Sequence, residues 1–225
     1  MRLCPALALA AFVSFAALPT RAGEGPNLAP AGDATPGAVR VLVLAEQLFA
    51  MGRDGDDPLV LLTAVRLARS VDTRAATGWE GPARPPEESA PAPGLPHDPG
   101  SEAALALALL MAEGDPALAE VAADLAGRQR SRGRVSQGHS ALAGGREDSW
   151  RIPFFGQSRA ELAVIGDGAA NLDLEVRDET GATICRETGP ADLAYCGFTP
   201  AWNGFFTVTV TNRGEAANTY RLLTN

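Results

Sequence analysis

The spacing of apolar residues changes along the chain. Residues 38–128 are rich in Ala and Leu at intervals of three and four, which is the period of an amphipathic helix. Residues 148–225 alternate instead, as in the run Phe206, Thr207, Val208, Thr209, Val210. The sequence therefore predicts an α + β protein of two domains. Short helical hairpins, forming a small bundle or a solenoid-like array, precede an antiparallel seven-stranded β-sandwich.

A repeat organises the helical part. Asp57-Pro58 and Asp115-Pro116 occupy equivalent places in two similar segments, 48–70 and 109–128. Asp is a favourable N-cap and Pro a favourable first helical residue, so each pair predicts a helix start. We predict helices at 38–52, 58–72, 102–113 and 116–127. A Pro-rich linker at 78–100 separates the two hairpins.

Turn signals rich in Gly, Asn and Pro divide the C-terminal part into short strands. The segment 129–147, rich in Arg, Ser and Gly, is interpreted as a linker, and 23–37 as a flexible leader. The predicted strands lie near 149–155, 159–166, 171–177, 182–187, 192–198, 204–212 and 218–224.

The N-terminus has the three parts of a secretory signal peptide. Arg2 supplies the positive charge, residues 7–18 the apolar run, and Thr20-Arg21-Ala22 the small residues of a cleavage site. An apolar run of about 12 residues is shorter than the roughly 20 that a transmembrane helix needs. The chain is expected to lose residues 1–22 by cleavage near Ala22 and to be periplasmic or secreted, without a membrane span.

Charge and cysteine content narrow the classes of function. The net charge is −8, which does not suit binding to nucleic acid phosphates. After the predicted signal peptide, the chain contains two cysteines, Cys185 and Cys196. In an oxidising compartment such a pair is most simply a disulfide, which stabilises the fold by restricting the unfolded chain.

A family resemblance covers residues 145–225. The segments "AELAVIGDGAANLDLEVRDETGATI", "FTPAWNGFFTVTVTN" and "NTYRLLTN" resemble the bacterial pre-peptidase C-terminal domain family. The resemblance implies a β-sandwich module of secreted bacterial proteins, often beside peptidases, with roles in secretion, processing or polymer binding. Some related collagenase domains bind calcium. Asn171 stands where the family commonly has Asp, and Glu175 where an aromatic residue is frequent. The helical part resembles no family in this way.

The stretch "GDGAANLDLEVRDETG" (166–181) has two interpretations. Calcium takes six to eight oxygen ligands, and this stretch offers several carboxylate and amide side chains, although their spacing is not that of an EF-hand. Alternatively, its glycines form turns and its alternating "LDLEV" forms one strand with a buried and an exposed face. Under the first interpretation the calcium ligands are Asp167, Asn171, Asp173 and Asp178.

Other candidate residues lie in turns and linkers. Trp202, beside the Asn203-Gly204 turn, is a candidate contact for a sugar or a peptide, or else packs over the disulfide. The alternating arginines of the linker are a candidate anion contact or processing site, against the alternative of a solvated linker. They are Arg128, Arg130, Arg132 and Arg134.

The chain lacks a recognisable catalytic set. Its two histidines, His97 and His139, both lie in predicted linkers, and the sequence contains no nucleophile elbow, H-E-x-x-H motif or P-loop. We therefore expect an exported, non-enzymatic binding or structural protein without a cofactor. Its helical module would contact a partner, and its disulfide-stapled sandwich would act as a binding or structural unit. The expected partner is another protein or an extracellular polymer. The alternatives are an accessory subunit of a secreted hydrolase and a calcium-dependent envelope or matrix protein.

Overall fold

The computed structural model describes residues 25–30, 35–82, 98–127 and 133–225. This part of the chain contains four helices and nine strands. One strand lies between the second and third helices, and the other eight follow the fourth helix. The helices are α1 (Ala38–Asp54), α2 (Pro58–Arg69), α3 (Glu102–Met111) and α4 (Pro116–Gly127). The strands are β1 (Asp72–Ala75), β2 (Arg134–Leu142), β3 (Glu147–Phe154), β4 (Ala160–Ile165), β5 (Leu172–Arg177), β6 (Thr183–Glu187), β7 (Leu193–Phe198), β8 (Gly204–Asn212) and β9 (Asn218–Thr224).

The Asp-Pro pairs begin helices as predicted. The Asp57 carboxylate accepts hydrogen bonds from the N–H groups of Leu59 and Val60. Asp115 does the same for Ala117 and Leu118 at the start of α4. In each case the side chain satisfies backbone donors that have no partner inside the helix. The four predicted helices are confirmed, although α2 ends at Arg69 because residues 72–75 form β1.

The strands form two sheets packed face to face. The five-stranded sheet has the order β1-β2-β9-β4-β7, and the four-stranded sheet has the order β3-β8-β5-β6. Neighbouring strands are antiparallel except for β1, which pairs parallel with β2. The seven predicted strands correspond to β3 through β9, so the count of seven is too low for the residues described.

The linker prediction for 129–147 is wrong at residues 134–142, which form β2. Ser136 pairs with Thr224 and Leu142 with Asn218, so β2 extends the five-stranded sheet along β9. Arg134 lies at the start of this strand, and its Nε donates to Asp72 on β1 at 3.2 Å. Arg134 is therefore an exposed strand residue that pairs with the acidic Asp72. Arg128, Arg130 and Arg132 lie outside the described residues.

The leader prediction is also wrong, at residues 25–30. Asn27 is fully buried, and the N–H of Ala29 donates to the carbonyl oxygen of Thr199 at 2.8 Å. Leu28 in this segment is exposed, so the segment is held by hydrogen bonds and not by the burial of its leucine. It forms a strap across one end of the sandwich.

Two apolar cores lie on the two faces of the five-stranded sheet. Its inner face meets the four-stranded sheet around Phe206, Leu162 and Tyr220. Its outer face carries Ala163 and Leu223, which pack against Val39 and Val43 of α1 and other apolar residues. A third cluster joins the four helices to each other. The two-domain layout is not confirmed, because the helices and the sheet share a core.

A buried polar network crosses the inner core. The Trp150 indole N–H donates to the Tyr220 hydroxyl at 2.8 Å, and that hydroxyl donates to Asp148 at 2.9 Å. Ser140 also donates to the same Asp148 oxygen, at 2.7 Å. The network therefore joins β2, β3 and β9 across the two sheets.

Cys185 and Cys196 form the predicted disulfide. Cys185 lies on β6 and Cys196 on β7, so the bond joins the two sheets at one edge of the sandwich. We expect the double variant Cys185→Ser and Cys196→Ser to lose about 2–3 kcal/mol of unfolding free energy, because a short loop is no longer closed in the unfolded chain. Urea unfolding of the oxidised protein and the variant measures the difference. An unchanged midpoint would contradict the expectation.

Candidate functional site

The four candidate calcium ligands lie in separate local structures. Asp167 accepts from the N–H groups of Ala169 and Thr219, at 3.0 and 2.9 Å. Asp173 is largely buried and accepts from Arg213 Nε at 2.6 Å. Asn171 directs a buried side-chain oxygen that has no hydrogen-bond partner among the described atoms. These contacts hold turns and strand ends in place.

Asp178 organises the turn between β5 and β6. One carboxylate oxygen accepts from the Thr180 N–H, the Thr180 hydroxyl and the Ala182 N–H. The other accepts from the Asn27 N–H at 2.7 Å. Desolvation alone would raise the pKa of Asp178, but these hydrogen bonds together hold the pKa below its usual value. Gly181 takes a φ of +85° in this turn, as its sequence context predicts.

The acidic stretch does not converge on one point. Within residues 25–30, 35–82, 98–127 and 133–225, no three His, Cys, Asp or Glu side chains are placed to hold a metal ion. Asp167 and Asp178 already accept from backbone N–H groups, which leaves fewer oxygens for a cation. The turn and strand interpretation of "GDGAANLDLEVRDETG" describes the observed structure better.

The strap meets Trp202 at the end of the sandwich. The Asn27 side chain accepts from the Trp202 N–H at 3.0 Å and donates to the Trp202 carbonyl oxygen at 3.1 Å. The Trp202 indole N–H donates to Glu179 at 2.5 Å. Trp202 is partly exposed, and both its backbone and its ring nitrogen are fixed. Its side chain thus remains a candidate contact in a rigid loop.

Two phenylalanines beside Trp202 are exposed. Phe155, at the end of β3, is 76% exposed, and Phe205, at the start of β8, is 39% exposed. Arg151 stacks over the Phe205 ring at 4.0 Å and also binds Glu80. We call Phe155, Trp202, Phe205 and Arg151 the aromatic rim.

The aromatic rim contains residues that the sequence interpretation missed. Each exposed phenylalanine belongs to a Phe-Phe pair, 154–155 and 205–206. Since successive strand residues point to opposite faces, one ring of each pair is expected inside and the other outside. Phe154 and Phe206 are the inner rings and meet edge to face at 5.6 Å. The two Phe-Phe pairs are the sequence signal from which the outward-facing rings could have been predicted.

A charged cluster lies between the helices and the five-stranded sheet. Glu46 of α1 and Asp98, ahead of α3, both form ion pairs with Arg221 of β9, the second at 3.2 Å. A cavity of about 300 Å³ adjoins Glu46 and is also lined by Phe49, Arg53 and the acidic Asp167 and Asp192. His139 is exposed on the neighbouring strand β2, opposite Arg221. The histidine therefore belongs to a sheet and not to a linker.

Burial raises the pKa of Glu46 to about 8, although the Arg221 guanidinium opposes the rise. Asp98 and Asp192 raise this pKa further. Desolvation and the charge of Arg221 lower the pKa of His139. A protonated Glu46 still accepts from Arg221 through its carbonyl oxygen, so the contact does not require both charges.

Stability should fall as the pH rises towards 8, because of Glu46. The folded chain holds this proton more tightly than the unfolded chain, so the contribution is complete below about 4.5 and is lost as the pH passes about 8. His139 has the opposite sign, and its window lies below 6.5. We expect Glu46→Gln to flatten the decline of Tm between about pH 6.5 and 8, above the window of His139. An equal decline in wild type and variant would contradict this assignment.

No helix among the described residues is long and apolar enough to cross a membrane. Residues 1–22, which carry the predicted signal peptide, lie outside the described residues.

Comparison with solved structures gives β-sandwich and related β folds. The pre-peptidase C-terminal domain of a collagenase from Bacillus anthracis matches with a TM-score of 0.33 and 15% identity, over 40% of this chain and 88% of that one. A periplasmic inhibitor of g-type lysozyme from Aeromonas hydrophila matches with a TM-score of 0.29 and 16% identity, over 40% and 84%. The Yersinia pseudotuberculosis-derived mitogen gives 0.29 and 14%, over 40% and 84%.

Sequence comparison gives no further relative. No family model matches the chain, and no curated protein matches it. The first of the solved structures belongs to the family that the motifs of residues 145–225 resemble. The chain is thus similar, in its sandwich, to a pre-peptidase C-terminal domain.

Proposed function

We propose that this chain is an exported, non-enzymatic binding protein whose sandwich holds an extracellular polymer or protein at the aromatic rim. Export would depend on residues 1–22, removed near Ala22. The disulfide supports this compartment, since such bonds persist where the surroundings are oxidising. The helical layer would supply a second contact, for a partner protein.

The observation that carries the proposal is the exposed Phe155, which follows β3 two residues after Pro153, the strand partner of the exposed Phe205. Aromatic side chains supply large contact areas and lose little conformational entropy when they bind. The neighbouring groups are already fixed: Arg151 holds Phe205, and Glu179 holds Trp202. A rim that is ordered before binding reduces the entropy lost on association.

Sedimentation with insoluble polymers tests this function. The mature protein would be mixed with collagen, peptidoglycan, chitin and cellulose, and the bound fraction measured. We expect one of these to bind, and Phe155→Ala to reduce the binding about tenfold, equivalent to the loss of one exposed anchor. Met51→Ala, at an exposed apolar residue of α1, is the matched control and should bind normally.

Two results would count against the proposal. One is equal binding by wild type and Phe155→Ala to every polymer. The other is turnover of peptide, ester or glycoside substrates that a point substitution abolishes, since that would make the protein an enzyme.

A further inference from the structure

Helix α3 is apolar on all sides. Every residue from Ala103 to Met111 is Ala, Leu or Met. A helix of this kind is normally buried all round. In this structure only Ala104 and Ala108 are fully buried along α3, whereas Leu109 and Leu110 are 44% and 66% exposed. The helix therefore has an apolar face that the described residues leave uncovered.

The exposed face continues into a groove between α3 and α4. A cavity of about 340 Å³ lies there, beside Leu109 and the turn that contains Gly114. Its other lining residues include Ala112, Ala119 and Ala122, whose small side chains leave the space open. Leu109, which lines the groove, and its exposed neighbour Leu110 would be the anchors for whatever covers this part of α3.

Charge identifies the kind of partner. Residues 98–127 contain no Arg, Lys or His. Glu113 lines the groove, Glu120 lies on α4, and both are exposed. A second copy of this chain would bring the same negative charges together, and an anionic lipid surface would be repelled. A cationic segment with its own apolar residues matches both the leucines and the carboxylates.

We infer that the α3–α4 groove binds a basic amphipathic helix of a partner protein. The inference rests on the proposed binding function and names the partner of the helical layer. The partner's apolar residues cover Leu109 and Leu110, and its Arg or Lys side chains lie near Glu113 and Glu120. Such a contact uses the spacing of three and four residues by which helices bind apolar grooves.

A labelled peptide of about 18 residues tests the inference, since an isolated helix needs roughly this length. It carries Leu at helical intervals and Arg elsewhere, and a counterpart carries Glu in place of Arg. Fluorescence anisotropy with the full mature chain in about 0.15 M salt measures binding. We expect the basic peptide to bind and the acidic one not to bind.

Matched variants locate the contact. Leu109→Ser and Leu110→Ser should weaken the basic peptide about tenfold or more, because each removes an anchor. Leu44→Ser is the control: Leu44, on α1, is 45% exposed and does not line the groove. Because all three side chains are exposed, the variants should keep the wild-type Tm, and light scattering should give equal masses.

Four outcomes would overturn the inference. Equal binding by wild type and both α3 variants would mean that the peptide is held by net charge elsewhere. An equal loss of peptide binding in Leu44→Ser would show that the peptide does not bind specifically at the α3–α4 groove. A dimer that disappears in Leu110→Ser would assign the groove to a second copy. If the peptide fails while Phe155→Ala still loses polymer binding, the inference fails and the proposed function stands.

Discussion

Replacing Asp148 with alanine is expected to lower the free energy of unfolding by about 2–4 kcal/mol, because each buried hydroxyl group that loses its acceptor costs about 1–3 kcal/mol. The carboxylate is almost fully buried and accepts from both Ser140 and Tyr220. Its removal leaves two hydroxyl groups in the core without their acceptor. The Tyr220 hydroxyl, no longer held by Asp148, also becomes a less well oriented acceptor for the Trp150 indole N–H.

Urea unfolding followed by tryptophan fluorescence measures this loss, since Trp150 belongs to the network. Tyr220→Phe is the matched variant: it keeps the ring and removes the hydroxyl, and should cost about 1–3 kcal/mol. Burial, with the charge of Asp148, raises the pKa of Tyr220, so this phenol should not ionise before the protein unfolds at high pH. A cost for Asp148→Ala within about 0.5 kcal/mol would show that the network contributes nothing.

Replacing Glu161 with alanine is expected to cost a similar amount and to loosen α1 from the sheet. Glu161 lies on β4 and is fully buried. Its Oε1 atom accepts from the Gly37 N–H at 2.9 Å and from the Tyr195 hydroxyl at 2.8 Å. Gly37 is the N-cap of α1, and Glu161 satisfies its N–H as the glutamate of a capping box would, although Glu161 belongs to the sheet.

Hydrogen exchange separates this effect from a general loss of stability. In Glu161→Ala the amides of α1 should exchange faster, whereas those of β5 and β8 should keep most of their protection. Glu161→Gln retains an acceptor and should lose less. Gly37→Ala tests the fit from the other side, because its Cβ would overlap Glu161 Oε2. Uniformly faster exchange in Glu161→Ala would contradict a local role.

Features that depend on neighbouring residues could be predicted from the sequence. The caps at Asp57 and Asp115 and the turn at Gly181 each need only a few adjacent residues. The alternation in β8 appears as expected, with Val208 inside. In β5 Leu174 is inside as expected, but Asp173, predicted on the exposed face, is buried. The disulfide could be predicted because only two cysteines follow the predicted signal peptide.

Features that depend on distant partners could not be predicted in the same way. Residues 134–142 contain Arg, Gly and His, and they form a strand because β9 offers its edge to them. Asn27 is buried through hydrogen bonds to Trp202 and Asp178, which no apolar pattern reveals. The Glu46–Arg221 contact likewise joins residues that are far apart in the chain.

The position of β9 has a consequence for the order of assembly. This strand, close to the C-terminus of the sequence, lies in the middle of the five-stranded sheet, between β2 and β4. Sheet pairing on both sides therefore waits until residues 218–224 have emerged, whether from a ribosome or from a membrane channel. Until then α1 has no complete surface on which to pack, because Leu223 belongs to that surface. The five-stranded sheet and the surface that α1 covers are therefore both completed by β9.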